Sequence, residues 1–77
     1  MTTREQVKER IAKILRIEID SVGDDVPLTN LVRESFMLVE MAIELQEDFS
    51  VRLVQEDLKS IRTVGDLATL IADRSTD

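Results

Sequence analysis

Ser35 is the residue of this 77-residue chain best placed for covalent chemistry. It stands where a polar stretch gives way to a run with helical spacing, Phe36 to Phe49. A serine at a helix start has two uses. Its hydroxyl can cap the helix by accepting a hydrogen bond from an amide one turn on. It is also exposed, beside unbonded amides and the positive end of the helix dipole, which suit a phosphate ester. Residue types alone leave open whether Ser35 is a cap or an attachment point for a phosphorylated group. Its use as a hydrolytic nucleophile fails on inventory. The chain has no histidine, and a lysine base would have to be Lys8, Lys13 or Lys59, each on a predicted charged surface. The pairs Asp24-Asp25 and Glu47-Asp48 come with no pocket or histidine, so solvation explains them better than catalysis. No metal site is expected: Asp20, Asp24 and Asp25 lack the alternating oxygen spacing and central glycine of a calcium loop. Gly23 and Gly65 stand alone, so there is no phosphate-cradling glycine loop.

The element that must present Ser35 is the helix that follows it. On a wheel of about 3.6 residues per turn, Leu38, Met41, Ala42, Leu45 and Phe49 form a core stripe. The opposite side carries Glu40, Glu44 and Glu47, with Phe36 and Ile43 among them and Met37 on the flank. Core burial accounts for the first face only. Apolar residues set into an acidic outer face read as a docking surface. The charge distribution agrees: Arg4, Lys8, Arg10, Lys13 and Arg16 put half the basic residues in the first helix, while residues 34–49 hold five acids and no base.

The order Leu31-x-x-Glu34-Ser35-Phe36, then Val39-Glu40, then Leu45-Gln46-Glu47-Asp48-Phe49, resembles the acyl carrier proteins. That family has an Asp-Ser-Leu signature at the start of its second helix, a following Val-Glu pair, and an acidic run ending in Phe. Ile61-Arg62-Thr63-Val64 is similar to the family's Ile-Thr-Thr-Val entry to the last helix. The match runs from Val7 to Ile71. It implies 4′-phosphopantetheine on Ser35, made from coenzyme A, with an acyl or aminoacyl group held as a thioester. It also implies a carrier that is not itself an enzyme but a substrate for others. The implied partners are a phosphopantetheinyl transferase and an acyltransferase, ketosynthase or acyl/aminoacyl ligase with basic docking surfaces. Glu34, Phe36, Met37, Glu40, Ile43, Glu44 and Glu47 are the expected partner contacts. Three departures stand out: Val32 where the family has glycine, Glu34 for aspartate and Phe36 for leucine. They point to polyketide or related specialised biosynthesis, with fatty-acid synthesis the runner-up. The reading from another class is a helical adaptor without cofactor, in which Ser35 is only a cap.

The remaining chain is expected to form one carrier domain, residues 1–77: an all-α, acyl-carrier-protein-like four-helix bundle with a long first loop and a short third helix. The first helix runs from about Arg4 to Arg16, with Val7, Ile11, Ile14 and Leu15 inward; Thr2–Glu5 and Thr3–Gln6 both fit a capping box. Glu5–Lys8 and Glu9–Lys13 have helpful spacing. Residues 17–34 form the loop, an extended segment anchored by Ile17, Ile19 and Val22, with a helical turn placed near Leu28–Leu31. Val51 and Leu53 alternate inward in a connector. The third helix covers about Glu56–Ser60, with Leu58 and Ile61 toward the core. The last begins after Thr63, capped through Asp66, and buries Val64, Leu67, Ala68 and Ile71; Gly65 in its first turn costs little, and Ser75-Thr76-Asp77 fray. A net charge of −6 argues against nucleic acid and favours basic partners. With no cysteine there is no disulfide, and no apolar run suggests a membrane span or a signal-peptide core. A cytoplasmic monomer is the expectation.

Overall fold

The structure, a computed structural model, describes residues 2–75. Its elements in order are α1 (Arg4–Leu15), a 3₁₀ turn (Ile19–Ser21), α2 (Leu28–Leu31), α3 (Ser35–Phe49), α4 (Gln55–Ser60) and α5 (Val64–Arg74). The four expected helices are present, and the turn expected near Leu28 adds a fifth, α2. Among the described residues there is no strand; Pro27 and Thr63 form an isolated antiparallel bridge.

Each long helix follows from its caps and its stripe. Of the two boxes at the start of α1, the chain uses Thr3–Gln6: Gln6 N–H donates to the Thr3 hydroxyl at 3.1 Å, and Thr3 N–H donates to Gln6 Oε1 at 2.9 Å. Helix α1 stops at Arg16, which turns left-handed at φ 60° without a glycine to ease it. Val7 and Ile11 are fully buried, Ala12 joins them, and Ile14 and Leu15 are only half-buried. Helix α5 is boxed by Thr63 and Asp66, and all four expected residues, Val64, Leu67, Ala68 and Ile71, are fully buried. α1 packs on α5 and, across the core, on α3.

The 17–34 segment departs from the expectation in an informative way. Ile19 does not anchor it: it sits in the 3₁₀ turn and is exposed, whereas Val22 is buried and Ile17 half-buried. Val22 anchors it as expected, and the entry to α5 adds a second, backbone anchor. Leu28 N–H donates to Arg62 O at 2.8 Å, Val64 N–H to Val26 O at 2.9 Å, and Gly65 N–H to Asp24 O at 3.0 Å. Gly65 is buried, and a Cβ built there would lie 2.9 Å from the Asp24 carbonyl oxygen. The glycine is therefore not a tolerated cost; any side chain would push the loop off α5. Ser75 does not fray either. It is buried, its N–H donates to Ile71 O at 2.9 Å, and its hydroxyl shares a hydrogen bond with Thr2. Thr76 and Asp77 lie outside the described residues.

Candidate functional site

Ser35 is the first residue of α3, exposed, and Glu34 occupies the N-cap position. This corrects the cap reading of Ser35. A cap residue must precede the first helical turn to face its amides, and Ser35 already lies inside it. Among the described residues no side chain caps α3. The Glu34 carbonyl accepts from Met37 N–H at 3.0 Å and Leu38 N–H at 3.3 Å, and the amides of Ser35 and Phe36 donate to no described residue. Unbonded donors and the positive end of a 15-residue helix thus lie at the same end of α3 as the hydroxyl. The local sequence explains the placement. Val32 closes α2, with its N–H on Leu28 O at 2.8 Å and its side chain buried. Arg33 and Glu34 then run out into solvent before α3 begins. The departure at Val32 is a core contact: a branched side chain pins the loop immediately before the exposed stretch, three residues ahead of Ser35.

Helix α3 turns the way its stripe requires. Met41, Ala42 and Leu45 are buried, and Leu38 and Phe49 pack half-buried against them. Glu34, Glu40, Glu44 and Glu47 are exposed, with no cation paired to them among the described residues. Phe36 is 58% exposed, Met37 40% and Ile43 47%. All seven expected contact residues thus lie on the surface of one helix and its cap. Asp48 differs, since it pairs with Arg10 of α1. Sequence reading missed two apolar members of this surface. Val39 and Val54 are as exposed as Ile43 and line a crevice between α3 and α4, of about 320 Å³, with Ala42, Ile43, Leu53 and Leu58. A spacing of three and four residues from Phe36 and Ile43 was the available signal for Val39; none pointed to Val54, which comes from another element.

The resolved ionisation shifts lie away from Ser35. A hydrogen bond from Lys8, joined by Arg4, holds Asp24 below the usual carboxylate range, and Lys8 is raised in return, chiefly by Asp24. Arg74, then the Val54 amide, lowers Asp57, and the Arg62 and Thr63 amides lower Asp66. These groups hold structure together. Among the described residues no cluster of acids, histidines or cysteines could hold a metal ion, and no helix is long and apolar enough to cross a membrane.

An exposed hydroxyl at an uncapped helix start, on an acidic face with apolar residues, is suited to carrying a group and presenting it to other proteins. Residues 5–71 match the sequence model of the phosphopantetheine attachment site family. The chain belongs to that family, the acyl carrier proteins, whose members bear 4′-phosphopantetheine. It is 28% identical over 75 residues to polyketide-8 synthase acyl carrier protein 2 of Streptomyces avermitilis, covering 96% of this chain and 86% of that one. It is 32% identical over 77 residues to an acyl carrier protein of Kineococcus radiotolerans, covering 94% of this chain and 95% of the relative. It is 30% identical to a non-reducing polyketide synthase of Preussia isomera over 67 residues, 87% of this chain and 3% of that much longer protein. Its function is that of a carrier, and the cofactor displaces the adaptor reading. The residues fit the group: an exposed oxygen for the ester bond and adjacent amides for the phosphate.

Proposed function

We propose that Ser35 is the attachment residue and that the chain carries an acyl or aminoacyl group in polyketide or related specialised biosynthesis. The observation that supports it best is the position of Ser35: exposed, first in α3, with its hydroxyl unused for capping. When bound, the cofactor supplies a terminal thiol that holds the cargo as a thioester. The chain's own part is to hold the phosphodiester at the α3 start and offer α3 to the next enzyme. Ser21 and Ser50 are exposed too, but neither begins a helix of such length. The polyketide assignment draws support from two of the three relatives described above and from Glu34 and Phe36 at the signature. Fatty-acid synthesis remains the second reading, favoured by the relative named simply as an acyl carrier protein.

Partners on this reading are a phosphopantetheinyl transferase and an acyltransferase, ketosynthase or ligase, each with a basic surface for Glu34, Glu40, Glu44 and Glu47. Phe36, Met37 and Ile43 lose water at the centre of that contact. The carrier acts as their substrate, a cytoplasmic monomer in one domain. The test is intact mass after incubation with coenzyme A and a broad-specificity transferase. One phosphopantetheine should be added to the native chain and none to Ser35→Ala. Full modification of Ser35→Ala, at Ser21 or Ser50 for instance, rejects the site.

A further inference from the structure

Helix α4 is the one α-helix among the described residues with no buried residue. It has six residues, of which Leu58 and Asp57 are half-buried. Apolar contact therefore holds it less firmly than α1, α3 or α5, each of which buries three or more residues. Polar ties make up the difference, and they converge on one side chain. Arg74, in the last turn of α5, forms a two-pronged contact with Asp57: Nη2 donates to Oδ1 at 2.8 Å and Nη1 to Oδ2. The same Nη1 donates to the Arg52 carbonyl at 3.0 Å, in the connector leading to α4. Asp57 Oδ2 also accepts Val54 N–H at 2.9 Å, across the start of α4. The Asp57 side chain is 14% exposed and that of Arg74 40%, so the pair is covered on the carboxylate side and open to water on the guanidinium side. One further tie runs to α3, where Leu53 N–H donates to Gln46 Oε1 at 2.6 Å.

Val54, Gln55 and Leu58 form one wall of the α3–α4 crevice, and Val39, Ala42, Ile43 and Gln46 form the other. Whatever fixes α4 therefore fixes the crevice width. We infer that Arg74 is a positioning residue for this crevice: acting through Asp57 from the last turn of α5, it latches α4 against α3, and release of the latch opens the crevice. The contact is geometric as well as ionic. A planar guanidinium matches both carboxylate oxygens and spares a donor for Arg52 O; a lysine ammonium cannot hold the same fork. The inference stands whichever residue carries the cofactor.

The test exploits the absence of cysteine. Spin labels at Glu44→Cys on α3 and Lys59→Cys on α4, both exposed positions, report the helix separation by electron–electron double resonance. Amide hydrogen exchange is read in parallel on the unlabelled chain. Arg74→Gln should lengthen and broaden the distance distribution and speed exchange of the α4 amides about tenfold, the loss expected for a charge-assisted hydrogen bond. Amides of α1 and the centre of α3 should keep their rates. Asp57→Asn keeps an acceptor for Val54 N–H and should give much the same opening, and the double variant should add little. Arg74→Lys should fall between Arg74→Gln and the native chain. An unchanged distance distribution in Arg74→Gln overturns the inference, because Leu58 and Ile61 would then suffice to hold α4. So does a uniform rise in exchange over all helices, which would make Arg74 a support of the whole fold.

Discussion

In α1, Lys8 bonds Glu5 and Asp24, each at 3.0 Å, Arg4 reaches Asp24 at 2.8 Å, and Arg10 pairs with Asp48. In α3, Glu40, Glu44 and Glu47 have no such partner among the described residues. The charges of α1 tie it to the first loop and to α3, so they set geometry within the molecule. Those of α3 repel one another at spacings of three and four residues, a cost of a few tenths of a kcal/mol per pair. Met41 and Leu45 on the buried side offset that cost. A row of acids that does nothing for the fold is what a basic partner would relieve, and the proposed docking face rests on this contrast.

Breaking the buried side should have the largest effect. Leu45 and Leu67 are fully buried on α3 and α5. Truncating either to alanine should cost about 2–5 kcal/mol, read from urea melts. Phe49 is half-buried and its truncation should cost less, while Glu47→Ala should change stability by no more than about 0.5 kcal/mol. If Glu47→Ala were the damaging change, the two faces of α3 would be interchanged. Next comes the loop clamp: Gly65→Ala should cost about 1–3 kcal/mol, because a methyl group must displace the Asp24 carbonyl. A melt equal to that of the native chain would mean the loop yields freely, and that α5 does not fix the segment leading to Ser35.

Most of the fold was legible because it rests on periodicity and caps. The α5 stripe and the Thr63–Asp66 box were read directly, as was the core side of α3. What escaped was long-range. Gly65 looks like a cheap helical glycine until the Asp24 carbonyl is seen against it, 41 positions back in the chain. Arg74 and Asp57 look like solvated charges until α5 and α4 are placed together. Ser35 illustrates a finer limit. Its exposure followed from its place at a helix start, but a one-residue shift of the boundary decides between cap and first turn, and periodicity does not resolve one residue.

The smallest expected effect on stability belongs to the residues that should matter most for association. Glu40→Lys or Glu47→Lys should leave the melt within about 0.5 kcal/mol of native, since each side chain is exposed and without a partner among the described residues. Against a ketosynthase, one of the proposed partners, either reversal should slow association and flatten its salt dependence, because exposed charges act on encounter through a field that salt screens. Phe36→Ala should leave association nearly unchanged and speed dissociation, as expected for an apolar group that loses water only once the complex has formed. Lys13→Glu on the exposed side of α1 is the control and should alter neither rate strongly. Rates measured at two salt concentrations separate these cases. Unchanged kinetics for both α3 reversals, together with lost binding for Lys13→Glu, would move the docking face to α1 and leave the acids of α3 as a solvated surface.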